Sequence, residues 1–422
     1  MNNTMRYSTQ EEIDAFADKL TSDATAKSRP MLVLDMDANF AIGYNLKSGV
    51  TLPLKEGDNP ESQAIPFGSD VQQLLADGKV EPAIFAVKAM DVRIHPDVAR
   101  LMNKNIADTA HPERKFDIVV LSSRDSGDLL RILKESGIEH PEKLTLVGDS
   151  GANIFVNGEK RNVRPLSKQE QGFLNGIDTK VAGLEAEINK VLIQQGYDPK
   201  DRPALFIEPK GIAKNVDWRG ILAYYGYADG SELDEAIATA VRASMEGYIA
   251  NGPQEDGKPV FKLLDSDAAV EIKMGSVDKG KALRAIVKAA QTEGYTPSSV
   301  VFSGDDVSKL VDGKGSPGTD QAAFLEVPKL QQETGIPFYT MHTQHPASGE
   351  LGEENPVPSP GKAAANMGIT PDIIVPDPLA NVEVVVNITE RARKQAAEQS
   401  GAKSWRGAVA SESAGQESKR AR

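Results

Sequence analysis

Cysteine is absent from the 422 residues of the sequence. This absence excludes a disulfide framework, a thiolate metal site and a cysteine nucleophile. The chain also lacks any apolar run near the roughly 18 residues that a membrane helix requires. Its first thirty residues are polar and acidic, which is not typical of a secretory signal peptide. We therefore expect a cytoplasmic protein, although export of the folded chain by another route stays open.

The sequence has fewer positively charged residues than negatively charged ones. Lysine and arginine total 48 against 61 aspartates and glutamates, which gives a formal net charge of -13. This balance argues against nucleic acid or an anionic membrane as a partner. The five histidines show no spacing typical of a zinc site. The length indicates a main domain and a smaller one, and the sequence leaves the oligomeric state open.

Short apolar runs alternate with helical patterns along most of the chain. The predicted strands are residues 31–34, 116–121, 144–147, 269–273, 300–302, 337–341 and 373–375. The predicted helices are residues 11–20, 127–135, 278–290 and 321–333. Strands that alternate with helices predict an α/β fold with a doubly wound, Rossmann-like parallel sheet.

The pattern changes in the middle of the chain. Long amphipathic segments at 169–195 and 231–250 alternate with strand-like runs at 204–207 and 221–225, which predicts an inserted α+β domain. The predicted units are an N-terminal extension with a helix (1–29), a core domain (30–154 and 262–390), a cap domain (155–261) and a flexible tail (391–422).

Four groups of polar residues follow predicted strands or open a predicted helix. The ligand crevice of an open α/β sheet lies beyond the carboxyl ends of its strands, so these groups can converge. Asp35 and Asp37 follow the first strand, and alternation turns both carboxylates to one side. One carboxylate can attack phosphorus while a second protonates the leaving oxygen.

Each of the other three groups has a chemical and a purely structural interpretation. Ser122 follows the strand FDIVVL and either donates to a phosphoryl oxygen or caps the next helix. Lys279 opens a helix and is either an anion ligand or an exposed surface lysine. Asp305 and Asp306 follow VVFSG and form either a Mg²⁺ site with Asp35 or an acidic turn.

The order of these four groups resembles that of the haloacid dehalogenase superfamily of phosphotransferases, and the insert between the second and third resembles a C2-type cap. The resemblance implies that Asp35 is the nucleophile and that Asp37 is the general acid and then the general base. It implies that Ser122 and Lys279 hold the phosphoryl group.

The resemblance also implies a bound cation. Mg²⁺ would be held by Asp35, by the backbone carbonyl of Asp37 and by Asp305, and Asp306 would support these ligands. The cation and the lysine would offset the repulsion between a carboxylate nucleophile and an anionic phosphate.

Further motifs, spread over roughly residues 30 to 390, are similar to those of trehalose-6-phosphate phosphatases. The family's S-G-R resembles SSR at 122–124, its cap motif E-x-K resembles EPK at 208–210, and its V-D-K-G-x-A-L resembles VDKGKAL at 277–283. Its G-D-D-x-T-D-E-x-x-F resembles GDDV at 304–307 followed by TDQAAF at 319–324. The implied contacts with the sugar phosphate come from Glu208 and Lys210, and from Arg124 and Arg219 unless these two arginines are structural.

The sequence departs from the family pattern at four places. Ala38-Asn39 replaces Gly-Thr after the aspartate pair, Ser150 replaces a histidine expected to contact sugar, Asp217 replaces a cap histidine, and an insertion at 308–318 splits the metal motif. The prediction is therefore a Mg²⁺-dependent phosphatase for a small phosphorylated sugar such as trehalose 6-phosphate. Two alternatives stay open: a phosphatase of the same fold for another sugar phosphate or a glycosyl-glycerate phosphate, and a phosphatase-like binding protein with little turnover.

Overall fold

The computed structural model describes residues 7–21, 28–37, 39–43, 92–107, 116–156, 159–162, 164–226, 231–266, 268–292, 294–305, 319–343, 370–391 and 394. The predictions for Ala38, Asp306, the insertion at 308–318 and the tail beyond residue 394 lie outside these residues.

Strands and helices alternate along the described chain. The strands are β1 Met31–Asp35, β2 Ala41–Gly43, β3 Val92–Ile94, β4 Asp117–Leu121, β5 Thr145–Gly148, β6 Asn153–Val156, β7 Glu159–Asn162, β8 Phe206–Pro209, β9 Ala213–Asp217, β10 Gln254–Glu255, β11 Lys258–Pro259, β12 Phe261–Ser266, β13 Ala269–Met274, β14 Val300–Gly304, β15 Phe338–Thr343 and β16 Ile373–Val375. The α-helices are α1 Gln10–Thr21, α2 Pro96–Ala107, α3 Ser126–Glu135, α4 Lys168–Gln194, α5 Arg219–Tyr224, α6 Glu232–Ala250, α7 Lys279–Thr292, α8 Gln321–Thr334 and α9 at residues 378–391.

The larger sheet has eight strands in the order β16-β15-β14-β1-β4-β5-β6-β7. The first six of these run parallel, with β1 between β14 and β4, while β6 and β7 are added antiparallel at one edge. This arrangement confirms the predicted doubly wound α/β fold. The carboxyl ends of β1, β4, β5 and β14 therefore meet at one edge, as the four polar groups require.

Apolar side chains cover both faces of this sheet. In β1, Leu32 and Leu34 pack with helices α1, α2, α3 and α9, whereas Met31 and Val33 pack with α7 and α8. Successive side chains of a strand point to opposite faces, so a continuous apolar run indicates a strand covered by helices on both sides. The apolar face of the predicted N-terminal helix, now α1, is part of the first of these two layers.

The smaller sheet has four antiparallel strands in the order β12-β13-β9-β8. Helices α4 and α6 pack on one face of it and form a separate hydrophobic core. The strand predicted at 269–273 exists as β13, but it pairs with β9 in this smaller sheet, although the predicted core domain resumes at residue 262. A strand's own pattern does not determine which strand it pairs with, so the sheet to which β13 belongs could not be predicted from the local sequence.

One strand prediction is wrong. Residues 221–225, ILAYY, were expected to be strand-like, but Arg219–Tyr224 form the short helix α5. The N–H groups of Ile221 and Leu222 donate to the carbonyl of Trp218, and both side chains are buried in the core of the smaller sheet. Short apolar runs fit either type of element, and here packing against that core decides.

Candidate active site

Asp35 and Lys279 form the centre of the candidate site. Asp35 ends the buried strand β1 and Lys279 begins α7, and both side chains are buried. The Lys279 ammonium lies 2.8 Å from Asp35 Oδ1 and 2.5 Å from Asp320 Oδ1. The interpretation of Lys279 as an exposed surface lysine is therefore wrong.

The electrostatics of this centre follow from one ammonium between two buried carboxylates. Burial and the charge of Asp320 raise the pKa of Asp35 well above its usual value, while Lys279 acts in the opposite direction. Burial acts to lower the pKa of Lys279, but its two carboxylate partners together raise it. Lys279 is thus held in its charged form, where it can face an anion.

A group of three carboxylates surrounds the end of β14. Asp35, Asp305 and Asp320 each offer an oxygen within 4.8 Å of the others. The backbone N–H of Asp305 donates to Asp320 Oδ2 at 2.9 Å. A Cβ on Gly304 would lie 2.5 Å from the same oxygen, so the glycine makes this close approach possible. Clustered carboxylate oxygens are the donor set that suits a hard cation such as Mg²⁺.

The Asp37 carboxylate pairs with Arg124, and its charge also contributes to the raised pKa of Asp35. The Arg124 Nε lies 2.9 Å and 3.0 Å from the two Asp37 oxygens, and a second guanidinium nitrogen lies 2.8 Å from Oδ1. Arg124 also donates to Asp128 at 3.0 Å. Burial acts to raise the pKa of Asp37, but Arg124, Lys279 and Lys210 together bring this pKa below its usual value. The lowered pKa keeps the Asp37 carboxylate ionised at neutral pH.

Ser122 directly follows β4 and contacts both Arg124 and the turn after β5. Its Oγ accepts the N–H of Arg124 at 3.1 Å, and its carbonyl accepts the N–H of Ser150 at 3.0 Å. The cap of helix α3 is Asp125, whose carboxylate accepts two N–H groups of the first turn. The helix-capping interpretation of Ser122 is therefore wrong.

The turn after β5 is built from unusual backbone conformations. Asp149 and Ser150 both have a φ of 54°, and Gly151 has a φ of 108°. Left-handed conformations are uncommon for residues other than glycine and are typical of sites where a side chain must be aimed. The turn directs Ser150 towards Lys273 of β13, and Asp149 Oδ1 accepts the N–H of Gly211 at 3.0 Å. Both contacts join the larger sheet to the smaller one.

Glu208 and Lys210 lie at the end of β8 and just after it. The Lys210 ammonium lies 3.1 Å from Glu271 and 3.6 Å from Glu208. The charge of Lys210 contributes to the lowered pKa of Asp37, and the charge of Glu208 contributes to the raised pKa of Arg124. The charges of both predicted cap residues therefore act on the Asp37–Arg124 pair.

Arg219 and Asp217 form an ion pair at the other end of this sheet. Arg219 donates from Nε to Asp217 Oδ2 at 2.7 Å and from its backbone N–H to Oδ1 at 2.7 Å. Burial raises the pKa of Asp217, against the effect of Arg219. The structural interpretation of Arg219 thus accounts for its observed contacts.

Two residues of the site were missed by the sequence argument. The sequence marks Asp320 only as part of a split motif: the similarity of TDQAAF at 319–324 to the family motif is its one signal, and a Thr-Asp pair by itself is not specific. Asn39 was interpreted as a loss, yet its buried amide donates to the carbonyls of Asp35 at 2.9 Å and Ser303 at 3.0 Å. No local sequence pattern indicates that Asn39 makes these hydrogen bonds.

The structure is similar to several solved structures. The C-terminal domain of the C. albicans trehalose-6-phosphate phosphatase has a TM-score of 0.52 and 13% identity, over 92% of this chain and 99% of that one. A trehalose-6-phosphate phosphatase related protein has a TM-score of 0.42 and 13% identity, over 86% and 99%. The C-terminal domain of the Candida albicans trehalose synthase regulatory protein has a TM-score of 0.46 and 12% identity, over 92% and 100%.

No family model matches the chain, and no curated protein matches it. The first likeness shows the fold alone: the chain shares the α/β fold of that domain. Within the described residues, no helix is both long enough and apolar enough to cross a membrane.

Proposed function

We propose that this chain is a Mg²⁺-dependent phosphomonoester hydrolase that acts on a phosphorylated sugar through an aspartyl-phosphate. The observation that carries the proposal is the convergence of Asp35, Lys279 and Asp305, which are distant in sequence, around one point at the carboxyl edge of the sheet. A carboxylate beside a buried ammonium and further carboxylates has the composition that phosphoryl transfer by an aspartate requires.

The residues that would hold Mg²⁺ are Asp35, Asp305 and Asp320, together with the predicted backbone carbonyl of Asp37 and the predicted support of Asp306. When bound, the cation would neutralise charge on the carboxylates and on the phosphoryl oxygens.

The reaction divides into two displacements at phosphorus. In the first, an oxygen of Asp35 forms a bond to phosphorus as the bond from phosphorus to the sugar oxygen breaks, and Asp37 donates a proton to that oxygen. In the second, Asp37 takes a proton from water, whose oxygen attacks phosphorus and releases Asp35 and inorganic phosphate. Ser122 and Lys279 hold the phosphoryl oxygens in both steps.

The ion pair between Arg124 and Asp37 must weaken before Asp37 can be protonated and act as a general acid. The arginine keeps Asp37 ionised in the structure, and an ionised carboxylate has no proton to donate. Arg124 is also a predicted substrate ligand, so a bound phosphate would draw the guanidinium towards itself and weaken its pairing with Asp37. Substrate binding would in this way prepare the general acid.

A sugar substrate is supported by the polar residues that the smaller sheet presents to the site. Glu208 and Lys210 would contact sugar hydroxyls, and the sheet would exclude bulk water. Trehalose 6-phosphate or a related disaccharide phosphate is the first candidate, in line with the name of the solved structure with the TM-score of 0.52. Ser150, in place of the family's histidine, favours another sugar phosphate or a glycosyl-glycerate phosphate as the second candidate.

A binding protein with little turnover is the candidate from another class. The observation in its favour is the Asp37–Arg124 ion pair, which holds the proposed general acid in its ionised form. Such a protein would bind a sugar phosphate without splitting it.

Hydrolysis assays decide between these candidates. An aryl phosphate and a panel of sugar phosphates that includes trehalose 6-phosphate are incubated with the full chain, with and without Mg²⁺. We expect Mg²⁺-dependent phosphate release, reduced about 1000-fold or more in Asp35→Asn. Asp14→Asn, which changes a carboxylate of helix α1, is the matched control and should keep full activity. No Mg²⁺-dependent release, or equal release by wild type and Asp35→Asn, would remove the enzyme proposal.

A further inference from the structure

The smaller sheet has one apolar and one polar face, and the polar face is turned to the β5 turn of the larger sheet. In β13, Val270, Ile272 and Met274 belong to the hydrophobic core under α4 and α6. Strand alternation places Glu271 and Lys273 on the opposite face.

Lys273 makes the direct contact with the larger sheet. Its Nζ donates to Ser150 Oγ at 3.0 Å, and both residues are buried. The N–H of Ser150 in turn donates to the carbonyl of Ser122 at 3.0 Å. Ser150 therefore connects Lys273, through its side chain, to the backbone of Ser122, the residue proposed to hold the phosphoryl group.

Lys273 differs from the other buried cations of the described chain. Four lysine and arginine residues are buried there, and three of them have a carboxylate within 4.0 Å. These pairs are Arg124–Asp37, Lys214–Asp178 and Lys279–Asp35. Among the described residues Lys273 has no such carboxylate, and Glu271 on the same face pairs with Lys210. Burial lowers the pKa of Lys273 to about 8, which reflects an ammonium that lacks a close counter-charge.

Asn215 supplies a second, independent observation on the same face. It is buried, and its Oδ1 has no hydrogen-bond partner among the described residues. It lies opposite Glu271 in β9, diagonal to Lys273, and its amide nitrogen donates to Glu208 at 3.4 Å. Diagonal positions on one face of an antiparallel pair are about 7–8 Å apart, which is within the span of a single sugar. A buried acceptor without a donor calls for a hydroxyl from outside the chain.

We propose that Lys273 and Asn215 form a second part of the substrate site, in which Lys273 binds an anionic oxygen of the substrate and Asn215 accepts a hydrogen bond from one of its hydroxyls. This inference rests on the proposed function. The anionic oxygen has two possible sources, the phosphoryl group itself or a second acidic group of the sugar, such as a carboxylate.

Isothermal titration calorimetry of the full chain, in the presence of Mg²⁺, measures the binding of three probes without turnover and so tests the inference. The parent protein is Asp35→Asn, and the probes are inorganic phosphate, glucitol 6-phosphate and 6-phosphogluconate, which has a carboxylate where glucitol 6-phosphate has a hydroxymethyl group. We expect Lys273→Met to weaken binding about tenfold or more. Loss with all three probes assigns Lys273 to the phosphoryl group, and loss with 6-phosphogluconate alone assigns it to a second acidic group. Asn215→Ala should weaken binding of both sugar phosphates several-fold and leave inorganic phosphate unchanged.

Lys214→Met is the matched control, since it removes a buried lysine from the opposite face of the same sheet and should leave all three affinities unchanged. Lys273→Gln is the second variant, because it removes the charge but can still donate to Ser150. The inference is overturned if folded Lys273→Met and Lys273→Gln bind all three probes like the parent, or if the parent binds none of them. If wild type hydrolyses no phosphate while the binding pattern holds, the proposed function fails and this subsite stands.

Discussion

The Lys279 ammonium lies 2.8 Å from Asp35, although the two residues are 244 positions apart in the chain. Asp320 shares the same ammonium from the opposite side at 2.5 Å. One buried ammonium therefore joins two carboxylates at the centre of the site.

Lys279→Met should disrupt both folding and activity. It leaves Asp35 and Asp320 buried without their cation, and the loss of one partner of a buried ion pair costs about 3–5 kcal/mol. We expect the free energy of unfolding, measured with urea, to fall by that amount and phosphate release to fall at least about 100-fold. Lys281→Met, an exposed lysine two positions later, should change stability by less than about 0.5 kcal/mol. Equal stability of the two variants would contradict the central role of Lys279.

Gly304→Ala tests the placement of Asp320. The added Cβ would lie 2.5 Å from Asp320 Oδ2, which is held by the N–H of Asp305 and so cannot move away without losing that bond. We expect the Mg²⁺ concentration for half-maximal phosphate release to rise about 10–100-fold. In the control Gly275→Ala, the nearest atom to the new Cβ is 3.5 Å away, so its Mg²⁺ dependence should match wild type. An unchanged Mg²⁺ requirement in Gly304→Ala would show that Asp320 does not support the metal.

Asn39→Leu tests whether a departure from the family pattern has become structural. Besides its two amide donations, Asn39 Oδ1 accepts from Ser303 at 3.0 Å, Thr343 at 2.7 Å and Asn381 at 2.6 Å. Removing them leaves several buried polar groups without partners, each at a cost of about 1–3 kcal/mol. The free energy of unfolding in urea should fall by about 3 kcal/mol or more.

The control for this variant is Asn103→Leu, in which an asparagine that bonds the carbonyl of Gly137 at the surface is replaced. It should cost about 1 kcal/mol or less. If Asn39→Leu proves no more costly than this control, the buried amide does not organise the strand ends.

Lys273 should make stability depend on pH. Its folded pKa of about 8 lies below the ordinary 10.5, so between these values the unfolded chain binds the proton more tightly and the free energy of unfolding rises with pH. Glu271 opposes the lowered pKa, while Lys262, Lys279 and Lys210 add to it. The unfavourable contribution of Lys273 is fully present below pH 8 and is lost above about 10.5.

Lys273→Met should accordingly be more stable than wild type at pH 7 by roughly 3 kcal/mol at most, and this advantage should shrink from pH 8 to 10. Urea unfolding at several pH values measures the difference. Lys281→Met should follow the wild-type curve throughout. Parallel curves for wild type and Lys273→Met would show that Lys273 has an ordinary pKa in the folded chain.

The sequence allowed the main sheet and part of the site to be predicted because each signal was local. Apolar runs of four to six residues followed by Asp35 or Ser122 mark the ends of buried strands, and parallel strands bring such ends to one edge. Asp320 escaped prediction because an insertion separates it from Asp305, and a lone Thr-Asp pair resembles an ordinary helix start. Asn39 escaped because its five hydrogen bonds reach into four other segments of the chain.

The smaller sheet shows the same limit from another direction. The alternation in β13 predicts a strand, but not that it pairs with β9, nor that Lys273 reaches Ser150. The alternation of side chains along a strand is encoded locally, whereas the strand with which it pairs is determined by the packing of the whole domain.

By itself, the sequence determined which chemistry is available: aspartates, a serine and a lysine at the ends of strands and the start of a helix, with no thiol. Only the tertiary structure decided how these charges are shared: Lys279 contacts two carboxylates, Arg124 pairs with Asp37, and Lys273 has no carboxylate within 4.0 Å among the described residues. The physical reason is that Coulomb energy and burial depend on distances in space, and segments far apart in the chain acquire those distances only when it folds.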